Sequence, residues 1–95
     1  MDYASYSHTD HAYEGGLRAS IGAIYSYQER NFEAVDELEL AIELLRASDS
    51  DGDKRIQVEV AIAMMSLANA YVGLRKWKSG YDTFEVAMDV FASEF

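Results

Sequence analysis

The sequence contains no cysteine and no proline among its 95 residues. The lack of cysteine excludes disulfides, thiolate metal sites and cysteine nucleophiles. The lack of proline removes the residue that most strongly interrupts helices, which favours helices joined by tight turns. A chain of this length forms a single domain, so these properties apply to one small core.

Basic residues are scarce, with 8 Lys and Arg against 17 Asp and Glu, giving a formal net charge of −9. Nucleic acids and anionic membrane surfaces are bound by clustered Lys and Arg, so we expect neither as a direct partner. Apolar residues make up 49% and charged residues 26%, which is typical of a globular protein. Residues 1–13 lack the basic and apolar regions of a secretory signal, and a cytoplasmic location is expected.

Apolar periodicity predicts four helices, at about residues 17–29, 31–47 and 53–74 and from about residue 79 onwards. Residues 1–16 are predicted to form a tyrosine-rich arm, either irregular or a short marginal helix, that ends at two glycines, and residues 17–95 a single helical domain. The β-branched runs are too short for a sheet. We therefore predict an all-α fold with four main helices in two antiparallel hairpins, packed as a short solenoid or bundle.

The predicted core follows apolar stripes along these helices. The clearest stripe belongs to the last helix and includes Tyr81. The stripe of the second helix includes Phe32, so both residues are predicted to lie in the core. The side chains expected where the two hairpins meet are Leu38, Leu67, Tyr71 and Phe84. The stripe of the last helix comprises Trp77, Tyr81, Phe84, Met88, Phe91 and Phe95.

The second half of the chain repeats the first at an offset of 46 residues. Large apolar residues coincide with large ones, as Leu38 does with Phe84, and Tyr25 coincides with Tyr71. Small residues coincide with small ones, as Gly22 does with Ala68. Two copies of one helix-turn-helix unit are expected to show this pattern.

The second unit resembles the tetratricopeptide-repeat family, which has large, small and aromatic residues at set positions of a helical hairpin. In the first unit Asn31 stands where the family has an aromatic residue, both units lack the closing proline, and the offset is 12 residues longer than usual. The resemblance implies stacked helical hairpins. It rests on Leu67, Ala68, Tyr71, Trp77, Gly80, Phe84 and Ala87.

No pattern of catalytic residues is present, and we expect no enzyme activity, cofactor or metal site. Pairs such as Glu33 and Glu37 are four residues apart on an outer helix face, which indicates solvated surface. His8 and His11 would suit zinc only on a firm helix, and a solvated arm is preferred. Residues 49–53 superficially resemble a calcium loop, but a connector capped by an aspartate explains them better.

Two features indicate binding to a partner protein. Tyrosines outside the core stripes are typical of interfaces, because a tyrosine side chain is large and has a polar tip. Acidic residues of the second helix would steer a basic partner or serve solubility, and Trp77 lies in a small basic turn. The predicted partner-binding residues are Tyr3, Tyr6, Tyr13, Tyr27, Glu33, Asp36, Glu37, Glu43 and Trp77.

We therefore expect a protein–protein interaction module, acting as an adaptor, a chaperone-like protein or an inhibitor. The alternative is an acidic inhibitor that mimics a nucleic acid and occupies the basic cleft of a nucleic-acid-binding protein. A homodimer is also expected, because one neighbouring helix cannot cover all the apolar surface of the last helix. The rival to the dimer is an N-terminal arm that folds back as a cap.

Overall fold

The computed structural model describes residues 8–48 and 53–94, which form four α-helices. They are α1 (His8–Tyr27), α2 (Asn31–Ser48), α3 (Lys54–Gly73) and α4 (Trp77–Glu94). No strand occurs within these two ranges. The predicted all-α fold of four helices is confirmed, whereas residues 1–7 of the predicted arm lie outside the described residues.

The predicted break at Gly15 and Gly16 is wrong, because α1 begins at His8 and runs through both glycines. Gly15 is buried against α2, and a Cβ atom there would lie 2.9 Å from Cγ of Leu45. The weak helix propensity of glycine, about 1 kcal/mol below that of alanine, is thus offset by close packing of the two helices. Gly15 therefore lets α1 approach α2 closely and does not end the helix.

Gly22 makes the same kind of contact one heptad further on. Its Cβ would lie 2.5 Å from Cγ of Leu38, so α2 approaches α1 closely at this glycine as well. Seven residues forward on α1, from Gly15 to Gly22, correspond to seven residues backward on α2, from Leu45 to Leu38. The two helices therefore run antiparallel, and these two leucines are the largest fully buried side chains among the described residues.

The two halves of the described chain have the same helix lengths and the same turn geometry. Helices α1 and α3 have 20 residues each, and α2 and α4 have 18 each. Glu29 and Arg75, which are 46 residues apart, have φ values of 59° and 62°. The next backbone N–H in each turn, of Arg30 and of Lys76, donates to a tyrosine carbonyl at 2.9 Å. This left-handed turn is a common way to end a helix, and its recurrence agrees with the offset read from the sequence.

The helices pack in sequence order as a flattened molecule that measures 40 × 33 × 17 Å. Helix α1 packs along α2, and α3 packs along α4; α3 also contacts α2 and, less extensively, α1. Within the described residues α4 contacts α3 alone. The core lies mainly between α2 and α3, and its larger side chains are Leu38, Ile42, Leu45, Val60, Met64 and Leu67.

Helix α3 is the one described helix that is long and apolar enough to cross a membrane. Core helices of folded domains pass the same test of length and composition. In this structure seven side chains of α3 are buried, and the helix contacts the other three.

Several residues placed in the core by periodicity are exposed. Phe32 of α2 is 71% exposed and Tyr81 of α4 is 65% exposed, so both core predictions are wrong. Leu38 and Leu67 are buried as predicted, whereas Tyr71 and Phe84 are only half-buried. The physical reason on α4 is that a single neighbour, α3, covers one side of a helix whose apolar arc is wider than one contact.

Candidate binding surfaces

A groove runs between α1 and α3. It consists of two adjoining concavities of about 500 and 220 Å³, which share Ala23 and Ser66. We call it the α1–α3 groove. The helices line it with small side chains, and this leaves the space open. The residues that they contribute include Gly16, Ala19, Ser20, Ala23 and Ser26 of α1 and Ile62, Ala63, Ser66 and Asn69 of α3.

The described lining of this groove carries groups that suit the binding of a peptide. The hydroxyls of Ser26 and Ser66 and the amide of Asn69 can both donate and accept hydrogen bonds, as the backbone of a peptide requires. The charged residues among its described lining are Glu29 and Glu59, both acidic. A ligand that combines a peptide backbone with a positive charge matches this lining.

The acidic residues predicted on α2 do not form an open ridge. Nη1 of Arg18 donates to both carboxylate oxygens of Glu37, at 3.2 and 3.1 Å, and Nε of Arg18 donates to Glu14 at 2.9 Å. The expectation that Glu37 points to solvent or to a partner is wrong, because this side of α2 faces α1. Asp36 and Glu43 are exposed, as predicted.

Glu33 is held by the turn that precedes α2. Nη2 of Arg30 donates to its carboxylate at 2.9 Å, and the guanidinium of Arg30 also lies over the ring of Tyr25, 4.6 Å from its centroid. The pKa of the Glu33 carboxyl lies below its usual value, because the backbone N–H of the residue donates to it and so does Arg30. Two of the four predicted acidic residues are therefore paired with arginines within the chain.

The predicted aromatic residues lie at separate places. Tyr27 is 91% exposed at one end of the α1–α3 groove, and Tyr13 is exposed further towards the start of α1. Trp77 is exposed at the start of α4, beside an open cleft lined by Val72 and Tyr81. Tyr3 and Tyr6 lie outside the described residues. Among the predicted residues that the structure describes, Tyr27 alone lines the groove.

Two apolar faces are exposed to solvent. The sequence predicted uncovered apolar surface on the last helix, whereas it did not predict a continuous apolar face on α1. The α1 face comprises Tyr13, Leu17, Ile24 and Tyr27, which share one side of α1. The α4 face comprises Trp77, Tyr81 and Met88, with the half-buried Phe84 beside them. Ile24 and Met88 are 55% and 56% exposed. Exposed apolar patches of this kind mark interaction surfaces.

The residues considered for metals provide no site that the structure describes. Among the described residues no group of three His, Asp or Glu side chains could hold a metal ion. The side chains of His8 and Asp10 lie outside the description. Asp53 caps α3, because its Oδ1 accepts the backbone N–H of Arg55 at 2.8 Å, and this confirms the predicted capping role.

No protein-family model, curated protein or solved structure matches this chain. The resemblance to tetratricopeptide repeats therefore stays a prediction made from the sequence.

Proposed function

We propose that the protein is a protein–protein interaction module and that its α1–α3 groove holds a segment of a partner protein. The observation that supports this proposal is the continuity of the groove along two helices, with Ala23 and Ser66 common to both of its parts. Small side chains on both walls leave room for the side chains of a ligand. The module would act by holding its partner, as an adaptor, a chaperone-like protein or an inhibitor does.

The charges at the groove favour a partner segment that carries Lys or Arg. Glu29 and Glu59 supply negative charge near its two ends. The whole chain adds a net charge of −9, which raises the rate of encounter with a basic partner. The preferred ligand is therefore a basic segment, held through its backbone by Ser66 and Asn69.

An inhibitor that mimics a nucleic acid receives less support. Such mimicry needs several unpaired acidic groups on one surface, as phosphates present them. The carboxylates of Glu33 and Glu37 are instead bonded to Arg30 and Arg18. Asp36 and Glu43 alone remain exposed from the predicted acidic set of α2.

The groove proposal can be tested with random peptides displayed on phage and selected against the protein. Enriched peptides are expected to carry Lys or Arg, and their binding should be lost in Ser66→Trp, which fills the point shared by the two concavities. Ser93→Trp, at an exposed position of α4, is the control and should bind as the wild type does. Thermal unfolding checks that both variants are folded.

A charge reversal tests the same site without filling it. Glu59→Lys at the groove should weaken binding of the basic peptides, whereas Glu43→Lys, an equally charged change on α2, should weaken it much less. The loss should be largest at low salt, because salt screens exposed charges. Selection of no peptide, or binding that both groove variants leave unchanged, would contradict the proposal.

A further inference from the structure

The larger part of the contact between the two units inside the chain is made by one face of α2 against α3, and α1 adds a smaller contact with α3. The side chain of Asn31 packs on Gly73, where an added Cβ would lie 2.4 Å from Nδ2 of the asparagine. The hydroxyl of Tyr71 donates to the Glu39 carboxylate at 2.8 Å. Asn31 and Glu39 lie on the same side of α2 as Ile42, which is buried. These residues define the internal junction.

The two exposed apolar faces correspond, at the offset of 46, to the two sides of this junction. The α4 residues that correspond to the α2 side of the junction are exposed. The α1 residues that correspond to its α3 side include the exposed Leu17 and Ile24. Ala63 and Ala70 of α3 are buried, whereas their equivalents Leu17 and Ile24 are about half exposed. Asn31, Val35, Glu39 and Ile42 correspond to Trp77, Tyr81, Glu85 and Met88.

The polar pair of the junction is repeated in residue type at the two ends. Tyr71 and Glu39 bond to each other, and their equivalents are Tyr25 of α1 and Glu85 of α4. In the part of the chain that the structure describes, neither the Tyr25 hydroxyl nor the Glu85 carboxylate makes a hydrogen bond, and Glu85 is exposed. The α1 face therefore has the tyrosine of this pair and the α4 face has the glutamate, whereas the internal junction has both.

We infer that a second copy of the chain docks end to end, with the α4 face of one copy on the α1 face of the next. A second copy is the occupant because the chain already buries equivalent faces against each other. In this contact the Tyr25 hydroxyl of one copy donates a hydrogen bond to the Glu85 carboxylate of the other, as Tyr71 does to Glu39 inside the chain. Trp77 lies beside Tyr27, where the interior has Asn31 beside Gly73.

The end contact is wider than the internal junction. Trp77 and Tyr27 are larger than their equivalents at the internal junction, Asn31 and Gly73. We expect the two rings to pack as an offset stack. Leu17 and Ile24 are likewise larger than Ala63 and Ala70, and they fill the wider gap. The contact uses two different faces, so each pair of copies keeps one free face of each kind, and the assembly grows or closes into a ring.

Two complementary variants test this arrangement. Met88→Lys damages the α4 face and Ile24→Lys damages the α1 face, both at positions more than half exposed, where the fold tolerates lysine. Each variant alone should stay at the 10.7 kDa mass of one chain in sedimentation velocity, whereas the wild type self-associates with concentration. An equimolar mixture should form a one-to-one dimer, since each variant supplies the face that the other lacks.

The control is Val86→Lys, on the opposite side of α4 at 44% exposure, which should associate as the wild type does. A wild type that is monomeric at high micromolar concentration would overturn the inference. So would a mixture that stays monomeric, or an Ile24→Lys variant that still dimerises alone, because the latter indicates a symmetric contact between α4 helices. Thermal unfolding establishes that each variant is folded.

The hydrogen bond is tested separately with Tyr25→Phe and Glu85→Gln, which keep the size of both side chains. Tyr25→Phe should weaken association about 2- to 10-fold, as expected for loss of one hydrogen bond. Glu85→Gln should weaken it less, because an amide oxygen still accepts a bond. Unchanged association in Tyr25→Phe would show that the end contact does not reproduce the internal junction.

Discussion

Gly16 and Gly22 lie on the same helix, but a methyl group would meet different surroundings at the two positions. At Gly16 the nearest side-chain atom, Oε1 of Glu59, would lie 3.8 Å from an added Cβ, which is an ordinary contact. At Gly22 the Cβ would lie 2.5 Å from Cγ of the buried Leu38. The two positions therefore separate the helix propensity of glycine from its role in packing.

We expect Gly16→Ala to raise the free energy of unfolding by about 1 kcal/mol, the difference in helix propensity. We expect Gly22→Ala to lower it by about 1–3 kcal/mol, because the methyl group overpacks the contact with α2. Urea denaturation followed by circular dichroism measures both. Equal changes in the two variants would show that α1 and α2 do not approach as closely as the structure indicates.

At the scale of the helices, apolar spacing predicted which segments form helices but not which of their side chains are buried. It predicted α2, α3 and α4, since each has a continuous stripe. It did not predict that Tyr81 and Met88 are exposed, because spacing shows which residues share a face and not whether another helix covers that face. The start of α1 was missed since the buried role of Gly15 depends on Leu45, a residue 30 positions away.

The candidate site was predictable only in part for the same reason. Tyr27 was identified because it lies outside the core stripe of its helix, and Trp77 because it lies in a small basic turn, and both features are visible in the sequence. The α1–α3 groove was not, since it arises where small residues such as Ala23 and Ser66 of two distant segments meet. The pairing of Arg18 with Glu37 likewise depends on how α1 and α2 are aligned.

Because of the contact between α2 and α3, we expect the free energy of unfolding to change with pH in the alkaline range. Burial, and then the hydrogen bond to Glu39 and the charge of that carboxylate, raise the pKa of Tyr71 from its ordinary value of 10.0 to about 12. Below pH 10 the Tyr71 phenol is protonated in both the folded and the unfolded state, and it contributes fully to the free energy of unfolding. Between about pH 10 and 12 the folded state keeps a proton that the unfolded state has lost, so stability falls as the pH rises.

We therefore expect the free energy of unfolding of the wild type to fall across this window more steeply than that of Tyr71→Phe. Chemical denaturation at a series of pH values gives both slopes. Tyr27→Phe, which removes a hydroxyl from a highly exposed side chain, is the control and should keep the slope of the wild type. Identical slopes for the wild type and Tyr71→Phe would refute the contribution of this junction.

At the scale of the whole molecule, two opposing forces act on association. The net charge of −9 makes copies repel one another, whereas the α1 and α4 faces favour burial of apolar surface. The same negative charge attracts a basic partner segment to the groove. Salt therefore acts in opposite directions on the two kinds of binding that we propose.

Added salt should strengthen self-association, because screening at a Debye length of about 8 Å weakens repulsion between whole molecules. Sedimentation at low and physiological ionic strength measures the change in the association constant. Salt should weaken binding of the basic peptides in the same buffers. Self-association that weakens with salt would instead indicate attraction between opposite charges, and the apolar end contact would then not be its main cause.

The exposed position of Trp77 gives the protein a built-in optical reporter. It is the single tryptophan of the chain, it belongs to the α4 face, and it does not line the α1–α3 groove. Indole fluorescence shifts to shorter wavelength when the ring leaves water, so the emission spectrum follows occupancy of one end of the molecule. Unlabelled protein in a cuvette can thus distinguish a partner that covers this end from one that enters the groove.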